Sequence, residues 1–195
     1  MRGRGYLPRV LPAELLLIRH AESVWNAERR WQGRADPPLS ERGMEQARRL
    51  AESLAEAAID RVIASDLQRA LATAREVAAQ HGVELRSDPR LREHDVGRWE
   101  GRRRQEIEDF DAEALARFDA GDLDARAGGG ESRAEVRDRV RAAMTEIARE
   151  SRGLRVAVVT HLGVIRSLVS GPDLENAGCR RLSGDEMAQA LRRWR

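Results

Sequence analysis

Two short, uninterrupted apolar runs constrain the fold of this chain more than any other feature of its sequence. Residues 15–18 read LLLI and residues 156–160 read VAVVT, and polar residues follow each run. Apolar runs of this length without polar alternation are typical of strands that are buried on both faces of a sheet. Because such strands need helices on both faces, the two runs predict an α/β protein with a mostly parallel sheet.

Helical patterns alternate with further strand candidates along the chain. Residues 61–64 and, more weakly, 83–87 are predicted strands. Ser40 and Ser65 each precede an apolar stripe at helical spacing, and each hydroxyl can cap the helix that follows. Residues 131–152 carry a third such stripe. The alternation predicts a three-layer α/β/α sandwich.

The chain length and local composition suggest how the domain is organised. Its 195 residues are typical of one domain, and we predict a single domain over residues 1–195. Residues 1–12 are expected to form a loose tail. Residues 103–127 interrupt the alternation and hold eight acidic residues, which predicts a small helical insertion over one end of the sheet. Gly128, Gly129 and Gly130 then predict a hinge.

The charge composition excludes several kinds of chemistry. The chain has 35 basic and 33 acidic residues, and every basic residue is Arg. Without Lys there is no Schiff-base site and no Lys-containing P-loop. The acids are interleaved with the Arg residues, which argues against nucleic-acid binding. No apolar run is long enough to span a membrane or to form a signal peptide, and the single Cys excludes an internal disulfide. We therefore expect a cytoplasmic protein.

Two of the four histidines follow predicted strands at equivalent places. His20 comes directly after LLLIR, and His161 comes directly after VAVVT, 141 residues later. Ligands of open parallel sheets bind at the carboxyl edge, where both side chains would lie. With Arg19 beside His20, this pair predicts a functional site that only the fold can assemble.

Several segments carry, in chain order, a resemblance to a known family. They read RHAESVWN (19–26), LSERG (39–43), SDLQRALATA (65–74), LREHDVGRWEG (91–101), GGES (129–132) and THLGVIR (160–166). Together they span residues 15 to about 170 and resemble the histidine phosphatase superfamily, which is also called phosphoglycerate-mutase-like. The resemblance implies the α/β/α sandwich of that family, with the insertion over its active-site end.

The resemblance also implies a role for each matching residue. His20 would accept the phosphoryl group, and Glu93 would give the leaving alcohol its proton. The phosphoryl oxygens would be bound by His161, Arg19, Asn26, Arg69 and the backbone N–H of Leu162, and the substrate rim would hold Gln32 and Gly33. Two Arg forks and one protonated His would supply the positive charge, so no metal ion and no cofactor are implied.

The chain departs from the family pattern after the second histidine. Leu162 stands where the family usually has Gly, and we expect its backbone N–H to serve in the same way. The segment 162–177 is shorter than in relatives, and the sequence therefore does not decide whether the chain forms a homodimer. Residues 183–195 have no clear counterpart in the family.

The residues leave more than one function open. The segment HDVGRWEG (94–101) has the phosphatase-like form, and we expect hydrolysis of a small phosphorylated metabolite. The acids of residues 103–127 favour a leaving alcohol without strong negative charge. A cofactor-dependent mutase and a catalytically weak phospho-ligand binding module are the main alternatives. A metal-dependent hydrolase would be built from His20, Glu22, His94, Asp95 and His161.

Overall fold

The computed structural model describes residues 11–171 and 173–192. In chain order the elements are β1 (Glu14–Arg19), α1 (Val24–Ala27), α2 (Glu41–Ser53), β2 (Arg61–Ala64), α3 (Gln68–His81), β3 (Leu85–Ser87), α4 (Arg104–Asp119), α5 (Arg133–Glu150), β4 (Arg155–Thr160), α6 (Leu162–Leu168), β5 (Cys179–Ser183) and α7 (Gly184–Arg192). All four predicted strands are present, and the predicted alternation with helices is confirmed.

The strands form one sheet in the order β3-β2-β4-β1-β5. Four strands run parallel, and β5 is antiparallel to β1 at one edge. Arg19 pairs in register with Thr160, and Ala64 pairs with Val159. The carboxyl ends of β1, β2 and β4 therefore lie side by side, which places the residues that follow them at one edge of the sheet.

Alternate residues of the central strands enter two separate cores. Leu15 and Leu17 pack with the buried faces of α5, α6 and α7. Leu16 and Ile18 pack with α2 and α3 on the other side. Burial of one such side chain contributes roughly 1.5–3 kcal/mol, and none of these four is more than 1% exposed. This double burial explains the uninterrupted apolar run, and the α/β/α sandwich is confirmed.

Of the two capping predictions, the one for α2 is confirmed and the one for α3 is not. Ser40 caps α2, since its hydroxyl accepts a hydrogen bond from the Gly43 N–H at 2.9 Å. The prediction for Ser65 is wrong. Helix α3 begins after Leu67, and no side chain caps it. The Ser65 hydroxyl is instead used at the carboxyl edge of the sheet.

The acidic segment forms the predicted helical insertion. Helix α4 is broken at Asp111, whose φ of −144° and ψ of 39° are not helical. The Asp111 carboxylate accepts a hydrogen bond from the indole N–H of Trp99 at 2.7 Å. Ile107 and Leu115 pack with Trp99 in a third, smaller core. The insertion is thereby held against the loop before it.

The predicted glycine hinge is wrong, because this segment is packed against residues 95–99. Gly128 is buried and has a φ of +54°. A Cβ atom there would lie 2.3 Å from the carbonyl oxygen of Val96. A Cβ atom at Gly130 would lie 2.2 Å from the carbonyl oxygen of Asp95. These glycines serve the close approach of two backbones.

Both ends of the described chain pack against the first core. The predicted tail lies outside the described residues up to residue 10, but its last part is not loose. Leu11 packs on the first core, and its carbonyl oxygen accepts a hydrogen bond from the Gly153 N–H. Met187 and Leu191 of α7 belong to the same core. Within the described ranges, no helix has both the length and the hydropathy needed to cross a membrane.

Candidate active site

The two histidines meet at the carboxyl edge of the sheet, as the sequence predicts. Both follow paired residues of β1 and β4, and the centroids of their rings are 5.0 Å apart. His20 is 3% exposed, and His161 is fully buried. The parallel register of two central strands thus joins residues that are far apart in the sequence.

His20 is held as a neutral imidazole with one free nitrogen. Its Nδ1–H donates to the carbonyl oxygen of Ala21 at 2.7 Å. Burial, with help from the charge of Arg69, lowers the pKa of His20 well below its ordinary value. The imidazole is therefore neutral at pH 7, and the lone pair of Nε2 is available for a bond to phosphorus.

Ser65 orients the second histidine. Its Oγ accepts a hydrogen bond from the Leu67 N–H at 3.3 Å and lies 2.8 Å from the Nε2 atom of His161. When the hydroxyl donates to Nε2, the ring proton is on Nδ1, which is buried without a partner among the described residues. Sequence reasoning missed this role, although Ser65 directly follows β2 at the edge that holds both histidines.

The expectation of a protonated histidine is corrected for the unliganded site. Burial lowers the pKa of His161 well below its ordinary value, and the charge of Arg69 and the neighbouring His20 act in the same direction. His161 is therefore neutral at pH 7 in this state, and its Nδ1–H is a neutral donor.

Two arginines point their guanidinium groups at the same site from different elements. Arg69 is fully buried, and its Nη1 and Nη2 atoms donate to the carbonyl oxygens of Ala35 at 2.7 Å and Gly33 at 2.9 Å. Burial lowers the pKa of Arg69 to about 10, so the group stays charged at neutral pH. Arg19 donates from Nη1 to the carbonyl oxygen of Leu174 at 2.7 Å. The Nε–H of each is buried without a partner among the described residues.

Glu93 reaches the site from the loop after β3. Its Oε1 atom accepts a hydrogen bond from the His94 N–H at 2.8 Å, and its Oε2 atom accepts one from the Gly163 N–H at 3.2 Å. A Cβ atom at position 163 would lie 2.3 Å from the Glu93 Oε1 atom. The carboxyl therefore occupies space that a side chain at position 163 would fill.

Arg139 of α5, paired with Glu131 just before that helix, fixes the loop that carries Glu93. Arg139 donates to the backbone carbonyl oxygens of Arg90, Arg92 and Glu93 at 2.7–2.9 Å. The same guanidinium donates to both carboxylate oxygens of Glu131 at 2.8 and 2.9 Å. Sequence reasoning missed Arg139, because its spacing on the helix does not distinguish it from the other Arg residues of α5.

Ser23 connects Asn26, which was predicted to bind the phosphoryl group, to Gln32 of the predicted rim. The Oδ1 atom of Asn26 accepts hydrogen bonds from the Ser23 N–H and from the Nδ2 atom of Asn176, which leaves its amide NH₂ as the donor for the site. The Ser23 hydroxyl donates to the Oε1 atom of Gln32 at 2.7 Å.

One cavity of about 540 Å³ brings the predicted site residues together, a size typical of small-molecule sites. The predicted residues that line it are Arg19, His20, Asn26, Gln32, Gly33, Arg69, Glu93 and Leu162. His161 packs against His20 and is buried behind this lining. From the insertion, the cavity receives Phe118, Gly121 and Leu123. Among the described residues, none of the acids of residues 103–127 lines it, which removes the basis for expecting a leaving alcohol without negative charge.

The side chains of the metal-hydrolase alternative do not converge. Glu22 accepts a hydrogen bond from the Ser40 hydroxyl at 2.8 Å. The His94 ring lines the cavity, but its Nε2 atom is hydrogen-bonded to the carbonyl oxygen of Glu131 at 2.7 Å. Within residues 11–171 and 173–192, no three His, Cys, Asp or Glu side chains are grouped so that they could hold a metal ion.

Comparison with protein families gives a match over most of the chain. The model of the histidine phosphatase superfamily (branch 1) matches residues 15–189. Phosphoglycerate mutase-like protein 4 of Arabidopsis thaliana is 43% identical over 159 residues, which cover 80% of this chain and 69% of the relative. Probable phosphoglycerate mutase GpmB of an Enterobacter species is 39% identical over 161 residues, covering 81% of this chain and 75% of the relative.

Solved structures of phosphatases have the same fold. A mycobacterial glucosyl-3-phosphoglycerate phosphatase superposes with a TM-score of 0.79 at 30% identity, covering 90% of this chain and 94% of the other. The α-ribazole phosphatase of Shigella flexneri superposes with a TM-score of 0.76 at 28% identity, covering 86% of this chain and 89% of the other.

Proposed function

This chain belongs to the histidine phosphatase superfamily, and on that premise we propose that it hydrolyses small phosphomonoesters through a phosphohistidine on His20. The observation that carries the proposal is the state of His20. A buried, neutral imidazole with its Nδ1–H tied to a backbone carbonyl has its Nε2 lone pair free in a cavity that also holds Arg19 and Arg69. That combination suits an uncharged nucleophile for a dianionic phosphorus centre.

Binding of the phosphoryl group rests on donors that are already in place. The Nε–H groups of Arg19 and Arg69 and the Nδ1–H of His161 are buried without partners among the described residues, so a bound anion would satisfy them. The cost of ordering these groups has been met by the fold, because backbone carbonyls hold both guanidinium groups. A bound phosphate dianion also favours the protonated form of His161, which then adds positive charge.

In the first step the Nε2 atom of His20 forms a bond to phosphorus as the bond between phosphorus and the ester oxygen breaks. Glu93, in its protonated form, gives its proton to the leaving alkoxide, and the alcohol departs. In the second step Glu93, now a carboxylate, takes a proton from water, whose oxygen attacks the phosphohistidine. Inorganic phosphate leaves, and His20 returns to its neutral state. General acid catalysis of this kind contributes about 10²–10⁴ in rate.

We propose that the reaction needs no metal ion. Two guanidinium groups and a histidine can stabilise the charge that develops on the transferring group. Full activity after dialysis against a chelator is the expected result. Loss of activity that a divalent cation restores would contradict this part of the proposal.

The experiment that tests the function compares two histidine substitutions in assays of phosphate release from a panel of phosphomonoesters. His20→Ala should lower kcat at least 10³-fold while circular dichroism reports an intact fold. His81→Ala is the matched control, because His81 ends α3 and does not line the cavity. Equal activity of His20→Ala and wild type would reject the proposed nucleophile.

A mutase remains the second candidate, because the two curated relatives described above are called phosphoglycerate mutase or mutase-like proteins. A mutase returns the phosphoryl group from His20 to a second hydroxyl, whereas a phosphatase passes it to water. Incubation with a phosphoglycerate isomer distinguishes them. A phosphatase releases inorganic phosphate, and a mutase forms the other isomer with little release.

A further inference from the structure

More Arg residues line the cavity than the phosphoryl site accounts for. Over the whole chain 33 acidic residues nearly balance 35 basic ones. Among the described residues that line the cavity, however, there are seven Arg and a single carboxylate, that of Glu93. Two of the seven, Arg19 and Arg69, are accounted for by the phosphoryl site. The Arg residues left over are Arg29, Arg30, Arg133, Arg137 and Arg166.

Three of these remaining Arg residues have acidic partners outside the cavity lining. Arg30 pairs with Glu28, Arg137 with Asp138 and Arg166 with Asp173. Arg29 and Arg133 form no ion pair within the described part of the chain. Like charges held together at one cavity wall repel each other, and a bound anion relieves that repulsion.

Arg133 is held in a fixed position beside the insertion. Its Nη2 atom donates to the carbonyl oxygen of Phe118 at 2.8 Å, and its guanidinium carbon lies 4.1 Å from the centroid of the Phe118 ring. Its Nε–H is buried without a partner in the described residues. Phe118 in turn packs edge-on against Trp31 and Trp99. Arg133 is thus a pre-oriented cation with a donor left over.

Arg29 reaches the cavity from the turn after α1. Its φ of +57° is in the left-handed region, which residues other than Gly adopt at a cost. The Arg29 side chain lines the cavity and forms no ion pair in the described chain. A second unpaired guanidinium therefore contributes to the same surplus.

We propose that the leaving alcohol of the substrate carries a second anionic group, a carboxylate or a phosphate, which Arg133 binds with help from the positive charge of Arg29. This inference rests on the proposed function, because it concerns the part of the substrate that departs when His20 is phosphorylated. The acids of the insertion do not oppose it, since none of them lines the cavity among the described residues.

The test uses three esters of similar size whose leaving groups differ in charge. They are 2-hydroxyethyl phosphate, 2-phosphoglycolate and ethylene glycol bisphosphate. Because a hydrogen bond to a charged partner is stronger than a neutral one, kcat/KM should be about 10- to 100-fold higher for at least one of the two anionic esters than for the neutral ester. The ester with the higher value identifies the second group as carboxylate or phosphate.

Substitutions of Arg133 and Arg29 test whether Arg133 produces the preference for anionic esters. Arg133→Gln should lower the ratio of kcat/KM between anionic and neutral esters about 10-fold, and Arg29→Gln should lower it about threefold. Arg149→Gln is the matched control, because Arg149 is an exposed residue of the same helix outside the cavity lining. A wild-type ratio near one, or an unchanged ratio in Arg133→Gln, would overturn the proposal.

A binding measurement separates this inference from the proposed function. If wild type hydrolyses none of the three esters, the proposed function fails. Calorimetric titration of the esters into the His20→Ala protein then tests the second site without turnover. Tighter binding of an anionic ester, lost on adding Arg133→Gln, would support the site, and equal affinities for all three esters would reject it.

Discussion

At the scale of single residues, the position of the Glu93 carboxyl depends on Gly163 having no side chain. The backbone N–H of Gly163 donates to Glu93, and a Cβ atom at position 163 would meet its Oε1 atom at 2.3 Å. A contact this short cannot persist, so even a methyl group must displace the proposed proton donor.

Gly163→Ala is therefore expected to have the kinetic signature of Glu93→Gln. Both changes should lower kcat about 10- to 100-fold for alkyl phosphates, whose poor leaving groups need a proton. Both should affect p-nitrophenyl phosphate much less, because its leaving group departs as an anion. Measured kcat values over a series of leaving groups test this, and an equal loss across the series in Gly163→Ala would contradict it.

The residues of the site were predictable to different degrees. His20 and His161 follow from strand ends alone, because the register of a parallel sheet brings such residues together. Glu93 and Arg69 required the family resemblance. Ser65 and Gly163 act through contacts with residues about 100 and 70 positions away, and no local pattern reports such contacts.

At the scale of elements, α5 holds the loop that carries Glu93 as well as covering the sheet. Arg139 crosses from this helix to the backbone carbonyls of Arg90, Arg92 and Glu93 and pairs with Glu131, and the side chains of Arg139 and Glu131 are only 15% exposed. An ion pair with this little exposure and this many donors is worth far more than a surface pair, because removing one partner leaves the others unpaired.

Arg139→Gln should lower the free energy of unfolding by about 2–4 kcal/mol and reduce kcat most for alkyl phosphates, since the Glu93 loop loses its anchor. The matched control is Arg126→Gln, which breaks the more exposed pair with Glu135 and should lower the free energy of unfolding much less, because solvent screens that pair. Urea titrations and leaving-group series measure both effects. Equal free energies of unfolding in the two variants would show that the contacts of Arg139 stabilise the fold no more than an exposed ion pair does.

Sequence reasoning placed correctly those elements that are decided by neighbouring residues in the sequence. The strand at residues 61–64 and the cap at Ser40 agree with the structure because burial and a nearby N–H decide them. The start of α3 and the glycine segment at 128–130 do not, because the contact of Ser65 with His161 and the packing of the glycines against residues 95–99 override the local signal.

At the scale of the whole molecule, two neutral histidines in the interior link stability to pH. The pKa values of His20 and His161 are lowered well below the ordinary 6.5, chiefly by burial. Between those lowered values and 6.5 the unfolded chain binds more protons than the folded one, so the unfolding free energy rises with pH. Their contribution is complete above pH 6.5 and is lost as the pH falls, by about 1.4 kcal/mol per pH unit for each histidine.

His161→Asn should consequently weaken the pH dependence of stability. Urea denaturation between pH 5 and pH 6 should give a slope that is smaller than that of wild type, by at most about 1.4 kcal/mol per pH unit for the one proton concerned. The comparison of slopes removes the general destabilisation that the substitution itself causes. Identical slopes in the two proteins would mean that His161 is not kept neutral by the fold.

The most direct test of the account is to trap the phosphorylated protein during turnover. A labelled phosphomonoester with a good leaving group, mixed with the Glu93→Gln variant and stopped in alkali, should leave phosphate on the protein because the second step lacks its base. The phosphate should be stable in alkali, labile in acid and mapped by mass spectrometry to His20. Continued turnover with no phosphate on the protein, or phosphate on any other residue, would contradict it.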